Sequence, residues 1–185
     1  MTPGKKLPDV SVVLAVRNVE DVIGSGTRRV VEHLRELDRP FEVVGVNAGS
    51  WDTSFKVLRL LAAQVPELRL IEKDLSARAF IRGVSEARGP AVVMMDAGHL
   101  PGSLSPLGWT LSRLDRGTEA VVVRGRWITA RRLPALPAIA RSRGVGEVFE
   151  RCFEREARDL NVEVVGTARR APSGLLAPVW RLLAA

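Results

Sequence analysis

The sequence predicts an α/β domain in which helices cover both faces of a mostly parallel central sheet. Short apolar runs alternate with helix-period segments along residues 10–123, and this order is typical of parallel strands joined by helical crossovers. The first strand, Val10–Val16, is almost wholly apolar rather than alternating, as in strands that are covered on both faces. Apolar residues make up 46% of the 185 residues, which is enough for one domain with a substantial core.

Each element follows from its own pattern. Runs rich in β-branched residues predict strands, and apolar residues that recur every three or four positions predict helices. Residues 126–143 contain Pro134 and Pro137, so we expect an irregular segment with one short helix there. We expect residues 175–183 to form a short apolar segment that docks on the domain. The predicted strands are 10–16, 41–46, 68–71, 92–95, 120–123 and 162–165, and the predicted helices are 21–37, 52–64, 77–87, 103–116 and 148–160.

The charge balance favours anionic partners. Lys and Arg number 28 against 21 Asp and Glu, for a net charge of +7, which favours nucleotide phosphates, an acidic protein or an acidic membrane surface. The segment from Arg124 to Arg143 holds six arginines and no acid. It predicts docking on an acidic protein or a membrane, and the alternative is a solvated surface. No nucleic-acid-binding motif is present.

The sequence lacks the patterns of a membrane span, a secretory signal and a disulfide framework. No apolar run approaches the roughly 20 residues that a membrane span needs, and no secretory signal pattern follows Met1. The single cysteine, Cys152, excludes an internal disulfide and a thiolate metal cage. We therefore predict a cytoplasmic protein, with peripheral contact to the membrane as an alternative.

Polar loops follow three of the predicted strands, where an open parallel sheet binds its ligands. The candidate site residues in these loops are Arg17, Glu20, Asn47, Ser50, Asp96 and His99. Helix N-termini at this edge would suit a phosphate. Each candidate also has a structural interpretation: Asn47 in an Asx turn, Asp52-Thr53 as a helix N-cap, Asp96 as a cap and His99 as a solvated loop residue.

Five segments in order resemble the family 2 glycosyltransferases. Residues 10–23, V-S-V-V-L-A-V-R-N-V-E-D-V-I, resemble the family's V-S-V-V-I-P-x-Y-N-E-E-x-x-I, and 42–54, E-V-V-G-V-N-A-G-S-W-D-T-S, resemble E-I-I-V-V-D-D-G-S-x-D-x-T. Residues 77–89 end like the helix before the family's fourth strand, and 91–97, A-V-V-M-M-D-A, resemble the strand that leads to D-A-D. Residues 114–126 are similar to L-x-x-G-x-D-V-V-x-G-S-R. In pattern, the polyprenyl-phosphate sugar transferases are the most similar members.

The resemblance implies a GT-A fold over one domain, residues 1–185. Residues 8–127 would be the nucleotide-binding core, and 128–185 a shortened acceptor-side region with a C-terminal helix. It also implies a uridine- or guanosine-diphosphate sugar donor and a divalent Mn²⁺ or Mg²⁺. In the family, the acids of D-D-G-S hold the nucleoside, and the D-x-D acids hold a metal that neutralises the leaving diphosphate.

The chain departs from the family at these positions. Asn47 and Ala48 stand in place of the paired acids, and Gly98 stands in place of the second acid of D-x-D, which leaves Asp96 as the one candidate metal ligand. Ala15 and Arg17, also in the candidate nucleotide-sugar cleft, replace a Pro and a Tyr. Residues 74–77 replace the family's Asn-x-Gly loop, and the acceptor-side stretch that would carry the catalytic base is short.

Two hypotheses follow. The first is a degenerate glycosyltransferase domain that acts as a binding or scaffolding module and needs no metal. The second is an active, metal-independent glycosyltransferase that uses Arg17, Glu20, Asp96 and His99, with Arg17 or His99 contacting the diphosphate. An oligomer, in which a second chain completes the site, remains open.

Overall fold

A computed structural model describes residues 7–72, 78–100 and 102–166. The strands are β1 Val10–Val16, β2 Phe41–Asn47, β3 Leu68–Ile71, β4 Ala91–Asp96, β5 Ala120–Val123, β6 Trp127–Arg131 and β7 Val162–Val165. The helices are α1 Glu20–Glu36, α2 Ser54–Ala62, α3 Ala79–Glu86, α4 Pro106–Asp115, α5 Arg132–Arg141 and α6 Gly146–Glu156. A 3₁₀ turn, Ala97–His99, follows β4 directly.

The described strands form one sheet of seven, in the order β3-β2-β1-β4-β6-β5-β7. Strands β1, β2, β3 and β4 pair in parallel, and β7 pairs in parallel with β5. Strand β6 lies between β4 and β5 and runs antiparallel to both. The prediction of a mostly parallel sheet is therefore confirmed.

Two apolar clusters cover the two faces of the sheet, because successive side chains of each strand point to opposite faces. Val12 and Leu14 join the buried residues of α1, α2 and α4. Val13 and Ala15 join those of α3, α5 and α6. The result is the three-layer α/β/α arrangement that the sequence predicts.

The prediction of one short helix within 126–143 is confirmed by α5, but the prediction that the rest of this segment is irregular is wrong, because it contains strand β6. Buried Trp127, Ile128 and Ala130 anchor β6 between its neighbours. Helix α5 accommodates Pro134 in its first turn, where backbone N–H groups have no intrahelical acceptor, so the N–H that proline lacks costs no hydrogen bond. Pro137 lies inside the helix. Four strands, 10–16, 68–71, 120–123 and 162–165, have the bounds predicted.

Other boundaries differ by a few residues, and β2 and β4 each extend to the polar residue that follows the apolar run. The predicted terminal segment 175–183 and the loop 74–77 lie outside the described residues. No helix within the described ranges is long and apolar enough to cross a membrane.

Candidate functional site

The candidate residues lie along the carboxyl edge of the sheet, on both sides of β1. The parallel register pairs Val16 with Asn47 and Ala15 with Asp96, so Asn47 and Asp96 flank the end of β1. Arg17 and Glu20 follow that end directly. The structure thus brings the three predicted loops to one edge.

Asn47 forms an Asx turn, which is the structural interpretation that the sequence offers for this residue. Its Oδ1 accepts hydrogen bonds from the N–H groups of Gly49 (3.1 Å) and Ser50 (2.9 Å). Gly49 has a φ of 89°, which glycine adopts without steric cost. The Nδ2 of Asn47 donates to the Glu72 carbonyl at 3.2 Å. The Oδ1 of Asn47 therefore holds its own loop, and its Nδ2 joins this loop to the residue that follows β3.

Ser50 ties this loop to the end of β1. Its Oγ donates to the carbonyl oxygen of Val16 at 2.9 Å and accepts from the N–H of Asn18 at 3.3 Å. Asn18 returns the contact, because its Oδ1 accepts from the N–H of Trp51 at 3.0 Å. Ser50 is therefore engaged in backbone contacts, as Asn47 is.

Glu20 and Asp52 satisfy the N-termini of two neighbouring helices reciprocally. Asp52 Oδ2 accepts from the N–H of Glu20, the first residue of α1, at 3.2 Å. Asp52 Oδ1 accepts from the N–H (3.0 Å) and hydroxyl (2.6 Å) of Ser54, the first residue of α2. Glu20 Oε2 in turn accepts from the N–H (3.0 Å) and hydroxyl (2.6 Å) of Thr53. We call Glu20, Asp52, Thr53 and Ser54 the capping network.

The capping network keeps both carboxylates ionised. Hydrogen bonds from the hydroxyl and N–H of Thr53 lower the pKa of Glu20. Burial acts to raise the pKa of Asp52, but hydrogen bonds from Ser54 and from the N–H of Glu20 hold it below the ordinary value. Two negative charges therefore lie where we expected a phosphate, and they oppose an anion at these helix N-termini.

Ala48 and Ala15 belong to the core rather than to a cleft. Both are buried in the cluster on the α3, α5 and α6 face, and the N–H of Ala48 donates to the carbonyl of Val16 at 2.9 Å. Because the Ala15 side chain is buried, only its backbone could contact a ligand, and that contact stays a prediction. Arg17, by contrast, is exposed and makes no hydrogen bond or ion pair with any other described residue.

Asp96 caps the 3₁₀ turn that follows β4. Its Oδ1 accepts from the N–H of Gly98 at 2.8 Å, and a Cβ built on Gly98 would lie 3.2 Å from that oxygen. His99 Nδ1 lies 3.4 Å from the carbonyl oxygen of Arg126. Asp96 is therefore bonded to the backbone of the residue that replaces the second acid of D-x-D.

Helix α6 closes over the space beside Asp96. A hollow of about 10 Å³ lies there, lined by Asp96, Arg126, Glu150 and apolar side chains that include Phe149. That volume is about what a single water molecule requires. The space is too small for a sugar or a nucleoside.

Glu150 is a carboxylate of this region that sequence reasoning missed. It is 7% exposed, and its Oε2 accepts from the N–H of Gly125 at 2.9 Å. Gly125, with a φ of 69°, lies in the turn between β5 and β6. Burial raises the pKa of Glu150, against the Gly125 hydrogen bond and the nearby His99. The available signal was an acid on the apolar face of the helix, next to Phe149 and one turn before Phe153.

These residues do not fit a resident Mn²⁺ or Mg²⁺. No group of three or more His, Cys, Asp or Glu side chains in the described part of the chain could hold a metal ion. Asp96 is a lone carboxylate with one oxygen already bonded to Gly98, whereas hard divalent cations take several oxygen ligands. We therefore derive no chemical step through a metal.

The arginines between Arg124 and Arg143 do not gather at one place. Arg126 precedes β6 and Arg131 ends it, so they are separated by roughly 16 Å of extended strand. Arg124 pairs with Glu154 at 2.9 Å, and Arg141 pairs with Glu156 at 2.8 Å. Docking through the whole segment stays a prediction.

The comparisons with known proteins agree with this geometry. The family model described as glycosyl transferase family 2 matches residues 11–124, well over half of the chain. The chain belongs to this family. Among curated proteins it is similar to the undecaprenyl-phosphate 4-deoxy-4-formamido-L-arabinose transferases of Sodalis glossinidius (32% identical over 102 residues) and Proteus mirabilis (29% over 102 residues). Each match covers 52% of this chain and 31% of the relative, so the chain matches about a third of these relatives' length.

Solved structures confirm the GT-A fold. A mannosyltransferase from Pyrobaculum calidifontis, solved with GDP-mannose and Mn²⁺, matches 95% of this chain and 60% of its own, at a TM-score of 0.64 and 20% identity. Glucosyl-3-phosphoglycerate synthase from Mycobacterium tuberculosis, solved with Mn²⁺ and UDP-glucose, matches 94% of this chain and 76% of its own, at a TM-score of 0.58 and 19% identity. At these identities the likeness shows the fold alone.

Proposed function

We propose that this chain is a degenerate family 2 glycosyltransferase domain that acts as a binding module and no longer performs metal-dependent sugar transfer. The observation that carries the proposal is the hydrogen bond between Asp96 Oδ1 and the N–H of Gly98. In a D-x-D motif, the residue at position 98 would supply a second carboxylate. Here that residue has no side chain, and its backbone occupies one oxygen of the remaining acid.

The nucleoside side of the edge supports the same proposal. Asn47 replaces an acid, and its Oδ1 accepts from two N–H groups of its own loop. Ala48 replaces a second acid and is fully buried. A neutral, buried methyl group cannot accept a hydrogen bond from a base or a ribose, and such a lost contact typically costs about 1–3 kcal/mol.

Calorimetric titration tests the proposal. The full chain would be titrated with UDP-glucose and with GDP-mannose, each in Mn²⁺ and in EDTA, and hydrolysis of both donors would be followed in parallel. We expect Mn²⁺ to change neither affinity by more than about twofold, since one carboxylate supplies too few oxygens. Binding strengthened about tenfold or more by Mn²⁺, together with turnover, would contradict the proposal.

A restored acid sharpens the test. Gly98 is exposed, and a Cβ there meets only the Asp96 carboxylate and, at 4.0 Å, Val19, so Gly98→Asp leaves the core untouched. We expect it to bind Mn²⁺ more tightly than the parent chain, because two carboxylates would then converge. Gly98→Asn has the same shape without the charge and is the matched control.

The alternative, an active metal-independent transferase, is favoured by Glu150. This buried carboxylate lines the same hollow as Asp96, and its raised pKa would suit proton transfer. Such an enzyme would need α6 to move away from Asp96 before a substrate could enter. It predicts sugar transfer in EDTA that is lost in both Asp96→Asn and Glu150→Gln. Absence of turnover across a panel of donors with lipid-phosphate acceptors would leave the binding module as the function.

A further inference from the structure

A large cavity lies at the amino edge of the sheet, opposite the loops described above. It measures about 500 Å³, within the size range of small-molecule sites. The starts of β1 and β4, the end of β6, the last turn of α4 and the first turn of α5 surround it. Its apolar walls are formed by Pro90, Ala91, Leu111, Leu114, Leu133 and Pro134.

Four arginines line the same cavity, against two acids. The cations are Arg39, Arg88, Arg131 and Arg132, and the acids are Asp9 and Asp115. Arg39 is neutralised by Asp115 at 3.0 Å, and Arg131 donates to the carbonyl oxygen of Leu114 at 2.7 Å. The lining therefore has a formal charge of +2 (four arginines minus two aspartates).

Arg132 has hydrogen-bonding capacity that the described residues do not use. Its Nε is buried and has no hydrogen-bond partner among them. A buried polar atom without a partner is unfavourable, but this Nε is shielded from the cavity. The terminal guanidinium nitrogens of Arg132 are not among the buried atoms, and the residue is partly exposed, so these nitrogens would meet an acid group. A guanidinium also matches the geometry of carboxylate and phosphate oxygens.

The first turn of α5 adds to the positive potential. This helix begins at Arg132, contains no acid in its first turn and has no side-chain cap. The N-terminal end of a helix carries a partial positive charge. On the α1 and α2 side that charge is met by the carboxylates of the capping network, whereas at the start of α5 it is met by none on the helix itself.

We propose that this cavity, here called the amino-edge cavity, binds an amphiphilic anion, a small molecule with an apolar body and one carboxylate or phosphate group. The apolar walls take the body, and Arg88, Arg131 and Arg132 take the acid group. A neutral apolar molecule would not pair with the arginines, and a free inorganic anion would not remove the apolar walls from water. The site is separate from the carboxyl edge, and its occupancy does not depend on the function proposed there.

Titration with matched probes tests the proposal on the full chain. The probes are octanoate, octyl phosphate, octan-1-ol and inorganic phosphate, followed by calorimetry and by amide chemical shifts. We expect octanoate or octyl phosphate to bind at one site about tenfold more tightly than octan-1-ol or inorganic phosphate. The stronger of the two acid probes identifies carboxylate or phosphate as the group recognised. Equal binding of the alcohol and the acids, or binding with shifts outside this cavity, would overturn the proposal.

Two variants with matched controls locate the site. Arg132→Gln removes the charge at the start of α5, and its control is Arg28→Gln, an exposed arginine of α1 outside the cavity. Leu133→Ser shortens an apolar wall, and its control is Leu60→Ser, because both leucines are 71% exposed. We expect each cavity variant to weaken octanoate or octyl phosphate binding about fivefold, with the controls unchanged. Thermal unfolding checks that all four variants are folded. Equal losses of binding affinity in a cavity variant and its control would contradict the proposal.

Discussion

The two sides of the carboxyl edge differ in how their polar side chains are bonded. On the β1–β2 side, Asn47, Ser50 and the capping network are bonded to one another or to backbone groups. On the β4–β6 side, Asp96 and Glu150 each accept one backbone N–H and line a hollow that α6 has closed. The polar side chains of the first side join neighbouring loops and helix ends, whereas each carboxylate of the second side has one hydrogen bond among the described residues.

The difference shows which feature of the loop after β2 is structural. The loop after β2 needs an acceptor at position 47 for the N–H groups of Gly49 and Ser50, and an amide oxygen serves as well as a carboxylate. Position 48 faces the core, so a methyl group there removes a buried charge. At positions 47 and 48, where the family's motif has two acids, an amide and a methyl group are compatible with the fold.

The largest expected effect comes from placing an acid at position 48. Ala48→Asp places a carboxylate without a described cation partner inside the core, and we expect a loss of about 3–5 kcal/mol in the free energy of unfolding, measured in urea. Gly98→Asp, the corresponding restoration on the β4 side, is exposed, and we expect about 1 kcal/mol or less. Should Ala48→Asp fail to fold, Ala48→Ser would still cost about 1–2 kcal/mol. Equal losses at positions 48 and 98 would contradict the distinction between the two sides.

The capping network comes next. Asp52→Ala frees donors at the start of α1 and of α2, and we expect a loss of about 1 kcal/mol, as for other helix caps. Because both carboxylates accept hydrogen bonds at the start of α2, Glu20→Ala combined with Asp52→Ala should depart measurably from additivity in a double-mutant cycle. Asp52→Asn, which keeps an acceptor oxygen, is the milder control. Strict additivity would mean that the two caps are independent.

The sequence predicted the parallel part of the sheet better than the rest, for a physical reason. Strands β1 and β5 are buried apolar runs, and β3 and β7 are short, mainly apolar runs that each contain one charged residue, so local pattern suffices to find them. Strand β6 reads W-I-T-A-R with a flanking Arg126, and it is a strand because β4 and β5 pair with it on both sides. That is a tertiary cause, and no short window contains it.

The site residues divide in the same way. The order of strands and loops suffices to place Asn47, Asp96 and His99 at one edge. The reciprocal capping of Glu20 and Asp52 joins residues 32 positions apart, and the closeness of Glu150 to Asp96 depends on how α6 docks. Loop pattern alone therefore does not show which of these polar groups bond to neighbouring loops and helix ends.

The pH dependence of stability should have opposite signs on the two sides. The lowered pKa of Asp52 stabilises the fold above the unfolded value, about 3.9, and that contribution is lost as the pH falls through the folded pKa. The raised pKa of Glu150 means that the fold favours its protonated form. Its contribution is therefore complete below the unfolded value, about 4.3, and is lost as the pH rises through the folded pKa.

Glu150→Gln isolates this effect. The amide oxygen can still accept from the N–H of Gly125, so we expect a variant that unfolds no more easily than the parent near pH 7 and lacks the parent's loss of stability above about pH 4.3. Urea unfolding from pH 4 to pH 8 measures the difference, and Glu154→Gln, on the same helix but paired with Arg124, is the control. Parallel pH profiles for the parent and Glu150→Gln would show that burial does not govern this carboxyl.

The smallest effects should come from substitutions between aspartate and asparagine at the two residues that flank the end of β1. Asp96→Asn keeps an acceptor for the N–H of Gly98, and Asn47→Asp keeps one for Gly49 and Ser50 but loses the donor to the Glu72 carbonyl. We expect Asp96→Asn to change the free energy of unfolding by less than about 0.5 kcal/mol and Asn47→Asp to lower it by about 1 kcal/mol. Asp96→Ala, which removes the acceptor, should cost more than Asp96→Asn. If instead Asp96→Asn destabilises the chain as much as Asp96→Ala does, then the charge at position 96, and not its hydrogen bond, supports the β4–β6 side. In that case Asp96 would have an electrostatic role that the neutral Asn47 cannot have.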